Sequence, residues 1–226
     1  RNFTIVDGWS FADLRRALAS TDTLSHDTAG LDNDALMKRL GNDGEHPEGR
    51  FLPETYAYVK GDTDSSILKR AHAAMAKTLE AAWASRAPDL PLATSYEALI
   101  LASIVEKETG RAEERPRIAG VFIRRLQLRM LLQTDPSVIY GMGDSYAGNI
   151  HKSDLTTDTP YNTYTRVGLP PTPIAMPGRA AIQAALHPVE GKDLYFVAKG
   201  DGSHVFSANL DDHNRAVACY QLKRCQ

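Results

Sequence analysis

The sequence predicts an α+β fold, helix-rich with short antiparallel strands and long loops, plus a small N-terminal α/β segment. Three observations lead there. Long helical patterns fill the middle of the chain, strand-like runs occur only as short pieces near its two ends, and residues 131–178 are broken by proline and glycine. Strands do not alternate with helices as a doubly wound sheet requires.

Taken in order, Phe3–Val6 reads as a short strand, Gly8 as a turn, and Ser10–Ala19 as a helix that Ser10 caps and that turns Phe11, Leu14 and Leu18 inward. Asn33–Leu40 is a second short helix. Gly41–Gly49 is rich in Asn, Asp, Gly and Pro and reads as a loop, and Arg50–Tyr58 is partly extended because Pro53 forbids a regular central strand. Residues 1–45 are expected to form a small N-terminal segment and 46–226 the main domain.

Ser65–Arg86 carries an apolar stripe at Leu68, Ala71, Met75, Leu79 and Trp83 and is closed by Pro88. Helices Ser95–Thr109 and Glu113–Met130 follow. Gln133–Pro136, Gly141–Gly148 and Thr157–Gly178 read as loops, the last with five prolines between Pro160 and Pro177. A loop that long inside a domain tends to be functional. A helix at Arg179–Leu186, strands at Leu194–Ala198 and Val205–Ser207 around Gly200-Asp201-Gly202, and a helix at Asp211–Leu222 complete the chain.

With 26 Lys plus Arg against 28 Asp plus Glu, the net charge of −2 gives no electrostatic reason to expect nucleic acid as a partner. The apolar run Ala98–Val105 is far short of the roughly 20 residues that span a bilayer. The abrupt opening on a strand, without a signal-peptide pattern, suggests an excised part of a longer protein. In a continuous helix Cys219 and Cys225 would stand about 9 Å apart, so a bridge between them requires the helix to end first. Composition leaves open whether they are joined.

Several chemistries lack their residues. Gly141-Met142-Gly143 fits no phosphate loop, no Gly-x-Ser-x-Gly elbow exists, and the cysteines sit beside no evident base. The seven histidines show no helical ligand pair, though His204 with His213 is a conceivable exception. No metal and no cofactor are expected.

The strongest feature is Ser95–Gly110, apolar all the way round until Glu106 and Glu108. At 100° per residue Leu99, Ala102, Ser103 and Glu106 share neighbouring rows, so Glu106 continues an apolar face where burial disfavours a charged carboxyl. The two glutamates stand about 200° apart around the helix, and Glu108 is expected to be solvated or salt-bridged. Periodicity equally allows Glu106 to be a helix-end carboxylate paired with Arg111, Arg115 or Arg117. Downstream, Gln133, Thr134, Tyr140, Tyr146 and Tyr161–Thr165 offer amides, hydroxyls and aromatic faces that suit a carbohydrate.

These residues also match a known family. Glu48-Gly49-Arg50-Phe51-Leu52-Pro53-Glu54-Thr55-Tyr56, Leu101-Ala102-Ser103-Ile104-Val105-Glu106-Lys107-Glu108-Thr109, and Leu132-Gln133-Thr134-Asp135-Pro136-Ser137-Val138-Ile139-Tyr140-Gly141 resemble the YceG-like (MltG) endolytic murein transglycosylases. So do Tyr161-Asn162-Thr163-Tyr164, Gly168-Leu169-Pro170-Pro171-Thr172-Pro173-Ile174, Leu194–Ala198, and Gly202–Ser207 with His213-Asn214. The blocks keep the family's order from about Gly8 to Tyr220; Leu52 and Glu54 stand where Phe and Asp are expected.

The resemblance implies a lytic transglycosylase that cuts peptidoglycan strands at the β-1,4 link from N-acetylmuramic acid to N-acetylglucosamine, leaving a 1,6-anhydro end. It implies Glu106 as the catalytic glutamate, Ser103 or Gln133 bonded to its carboxyl, and Asn162 and Tyr164 as sugar-binding residues. It also implies a periplasmic fragment of a single-pass inner-membrane protein, touching membrane only through an absent N-terminal helix, with cell-wall synthases as possible partners. Its rivals are a hydrolytic muramidase using Asp135 or Glu54 to help a water, a non-catalytic peptidoglycan or synthase scaffold, and a pterin or folate-pathway lyase.

Overall fold

A helix whose middle eight residues have no wet face organises the molecule. The structure is a computed structural model that describes residues 1–225. Its fourth helix, α4 (Ser95–Glu108), buries every residue from Ala98 to Val105 and is N-capped by Thr94, whose hydroxyl accepts the Glu97 amide. Around it lie α3 (Asp64–Ala84), α5 (Arg115–Gln127), α6 (Asp135–Met142) and α8 (Arg179–Leu186), and Ile104, Ile118, Phe122, Ile182 and Leu186 share its core.

The N-terminal region builds a second core. Strand β1 (Asn2–Thr4) pairs antiparallel with β2 (Thr55–Ala57), Phe3 opposite Tyr56. Helix α1 (Phe11–Ala19) opens on a capping box between Ser10 and Asp13, and α2 (Asn33–Leu40) closes on the left-handed Gly41. Phe3, Phe11, Leu14, Leu36 and Met37 pack there with Phe51, Tyr58, Leu68 and Met176, so residues 1–45 and the main domain share apolar contacts.

A hairpin of β3 (Tyr195–Ala198) and β4 (His204–Ser207) pairs Phe196 with Phe206, and α9 (Leu210–Tyr220) packs on it. Helix α9 ends at Tyr220, which lets Cys219 and Cys225 join as a disulfide. Among the described residues no helix is long and apolar enough to cross a membrane.

Two helices lie within residues 131–178, where the sequence reads as long loops and no helix is expected. Pro136 reads as a breaker but sits in the first turn of α6, where a missing amide hydrogen is harmless. Helix α7 (Lys152–Thr156) is too short for periodicity, and Asn162 closes it by donating its side-chain amide to the carbonyls of Asp154, Leu155 and Thr157.

The long loop to Gly178 lies over α4, where Ser103 Oγ accepts the Ile174 amide at 3.0 Å. Gly49, at φ +78°, abuts it so closely that an added Cβ would stand 2.5 Å from Pro173 Cβ. Gly49→Ala should therefore lose about 2–4 kcal/mol, combining backbone strain with overpacking. Gly41→Ala, at φ +90° in open space, should lose only about 1–2 kcal/mol. Urea denaturation of the two variants tests the difference, and equal losses would remove the proposed role of the Pro173 contact.

Candidate active site

The end of α4 sends its two glutamates into different company. Glu106 accepts a hydrogen bond from Arg115 Nη2 at 3.2 Å and another from the Gly178 amide at 2.9 Å. Gly178 is the N-cap of α8, so the carboxylate fixes that helix's start, a place where the helix dipole favours negative charge. Its carboxylate is ion-paired with Arg115, one of the partners that periodicity left open.

Glu108 behaves otherwise, and the expectation that it is solvated or salt-bridged is corrected. No Lys, Arg or His side chain pairs with it among the described residues; one oxygen accepts the Thr134 hydroxyl and the other has no protein donor. Burial pushes its carboxyl from the ordinary 4.5 up to about 7, held back by the Thr134 bond and assisted by the negative charge of Asp135. Near neutrality this acid keeps a proton for a substantial fraction of the time.

Glu108 faces a cavity of about 470 Å³ between the start of α6, the Tyr164 loop, the β3–β4 hairpin and α9. Gln133, Asp135, Tyr164, Tyr195, His213 and Asn214 line it. Thr163 builds this wall by accepting the Gln133 amide at its carbonyl (3.1 Å) and the Thr134 amide at its hydroxyl (3.0 Å). Arg125 holds the hairpin by donating to the Leu194 carbonyl at 2.7 Å and reaches Gln133 Oε1 at 3.3 Å. His213 stacks on Tyr195 at 5.0 Å, with its buried Nδ1 unpartnered. Burial, with Arg125 nearby, lowers its pKa and keeps the ring neutral, ready to donate and accept.

The predicted site residues divide accordingly. Gln133 and Tyr164 line the cavity with Glu108; Tyr164 donates its hydroxyl to Asp135. Ser103 does not reach either carboxyl, because it is fully buried, donates to the Ile100 carbonyl at 2.7 Å and accepts from Ile174. Asn162 is not available to a sugar: it is buried, its amide donors close α7, and its oxygen accepts the Tyr164 amide at 2.9 Å. Glu54 lies outside the cavity, 3.6 Å from Arg179. Sequence reasoning missed Arg125, Tyr195 and the cavity-facing role of Glu108. The one available signal was that Ile104 and Leu101 precede Glu108 as apolar neighbours just as Ala102 and Leu99 precede Glu106.

Comparison with known proteins agrees with this architecture. A family model described as the YceG-like family matches residues 1–219. The chain is 36% identical over 189 residues to an endolytic murein transglycosylase of Bacillus subtilis, covering 83% of this chain and 51% of that protein. It is also 36% identical over 178 residues to a protein of the same description from Streptococcus pneumoniae serotype 2, covering 76% of this chain and 32% of the relative. The chain thus spans about half or less of the length of these relatives. A crystal structure of a putative YceG-like protein from Listeria monocytogenes superposes with a TM-score of 0.77 at 30% identity, over 94% of this chain and 75% of that one.

Because folding raises the Glu108 pKa above its unfolded value, the folded chain binds its proton more tightly. That stabilisation is complete below about pH 4.5 and is lost as pH rises through about 7. Measured against Glu108→Gln by denaturant titration, the unaltered chain should lose stability across that window. A difference that stays constant with pH would show that the carboxyl is not buried as described.

Proposed function

The chain belongs to the YceG-like family, and on that premise we propose that it is a lytic transglycosylase of peptidoglycan glycan strands with Glu108 as its acid and base. One observation carries the assignment. Of the two glutamates raised to about 7, Glu108 alone has no cationic partner and one oxygen without a protein donor among the described residues, and it faces a cavity of amides and aromatic faces that Asp135 and Arg125 also line. The relatives named endolytic murein transglycosylase support the substrate class.

The chemistry needs one carboxyl. Glu108 gives its proton to the oxygen of the bond between N-acetylmuramic acid and N-acetylglucosamine as that oxygen leaves the muramyl C1. The C6 hydroxyl of the same muramyl ring attacks C1, and its proton goes to the Glu108 carboxylate. No water is consumed, and the enzyme ends as it began. Proximity supplies the nucleophile, so the second carboxylate of an ordinary glycosidase is dispensable. Gln133, Tyr164, Tyr195 and His213 hold the sugars, by hydrogen bonds and by ring faces against apolar C–H surfaces.

Asp135 favours a second reading. It lines the same cavity and accepts the Tyr164 hydroxyl, a position from which a carboxylate can activate water in a muramidase. The disulfide supports an extracytoplasmic setting. An inner-membrane anchor outside this chain and synthase partners rest on the family resemblance alone.

Mass spectrometry of uncrosslinked glycan strands tests the proposal. Anhydro ends should form with the unaltered chain and fall by about 10²–10⁴-fold in Glu108→Gln, the usual contribution of a general acid. The rate should also decline as pH rises past about 7, where Glu108 loses its proton. Ends heavier by one water would establish the muramidase reading. Glu106→Gln should keep cutting while losing about 1–3 kcal/mol of stability as Arg115 loses its ionic partner. A folded but inactive Glu106→Gln would return the acid role to that residue.

A further inference from the structure

Glu108 stands on the wall of more than one cavity. A second cavity, of about 510 Å³, runs between Val6–Trp9 and the end of α4 and has both Glu106, with its partner Arg115, and Glu108 on its wall. Beyond it, across a saddle of Gly8 and Lys107 that both share, opens the largest of the three, about 770 Å³. Its walls come from the start of α1, from His46–Glu48 and from α6 with the turn after it.

The far cavity differs from the Glu108 cleft in its charge. Lys107 holds the saddle, its ammonium 3.3 Å from the Gly8 carbonyl and paired with no carboxylate among the described residues. On another wall Asp144 has no hydrogen-bond or ionic partner among the described residues. The other charges there are engaged: Arg16 with Asp13, Arg15 with the Thr28 and Leu31 carbonyls, and Glu48 with the Phe11 amide and the Tyr140 hydroxyl. Lys107, which donates one of its ammonium protons to the Gly8 carbonyl and has others to give, and the unpartnered Asp144 stand on separate walls and suit a ligand bearing both a carboxylate and an ammonium, which a neutral sugar lacks.

We infer that this cavity receives the stem peptide of the glycan strand, its carboxylate at Lys107 and its amino group at Asp144. The inference rests on the glycan reading above. With the sugar chain lying across Glu108, a peptide branching from a muramyl residue enters over the Gly8 saddle. The substrate is then a strand that still carries its peptides, rather than one that has been stripped of them.

The test is a binding measurement that needs no catalysis. The Glu108→Gln chain is titrated with glycan strands carrying stem peptides and with the same strands stripped by an amidase. Peptide-bearing strands should bind about tenfold tighter, the scale of one charge-assisted hydrogen bond at a partly wet rim. Adding Lys107→Gln or Asp144→Asn should remove most of that advantage and leave the affinity for stripped strands unchanged. Stripped strands that bind as tightly as peptide-bearing ones, or variants that weaken both alike, would overturn the inference while leaving the glycan reading intact. Failure of both strands to bind would overturn the two together.

Discussion

The structure depends on a helix whose middle eight residues have no face in water. Each residue of α4 from Ala98 to Val105 is buried, so polar groups on its last two turns cannot rely on solvent and must find partners in other segments. Ser103 takes the Ile174 amide, Glu106 takes Gly178 and Arg115, and Glu108 takes Thr134. Three distant segments, the proline-rich loop, the start of α8 and the start of α6, are thereby tied to one helix.

The two glutamates differ in one respect, the presence of a cation. Arg115 and the α8 N-terminus give Glu106 the environment of an anion, whereas Glu108 has a hydroxyl and the repulsion of Asp135. On the proposed assignment, two residues of separation at a helix end divide structural work from proton transfer.

Much of the fold was legible because it is local. The apolar stripe of α3, the cap of α1 and the hairpin around Gly200-Asp201-Gly202 follow from spacing. The glutamate assignment was not legible, for a physical reason: a helix apolar on every side carries no directional signal, and the argument that buries Glu106 beneath Leu99 and Ala102 buries Glu108 beneath Leu101 and Ile104 equally. What separates them is Arg115, whose reach across a tight turn cannot be read from periodicity. Asn162 escaped for the same kind of reason, since its partners belong to α7, a helix of five residues.

A shifted carboxyl alone does not identify the chemistry, as Glu48 makes plain. Its pKa is also pushed up to about 7 by burial, and it too borders a cavity. Yet both of its oxygens accept the Phe11 amide, at 2.9 and 3.1 Å, and one also accepts the Tyr140 hydroxyl at 3.0 Å. To take a proton, Glu48 would have to yield an acceptor position to it in competition with the Tyr140 hydroxyl and with the Phe11 amide that holds the start of α1. Glu108 keeps one oxygen free of any protein donor among the described residues and has only a side-chain hydroxyl on the other. Its protonation can change without moving a segment, and a group that gives and regains a proton in every turnover requires that freedom.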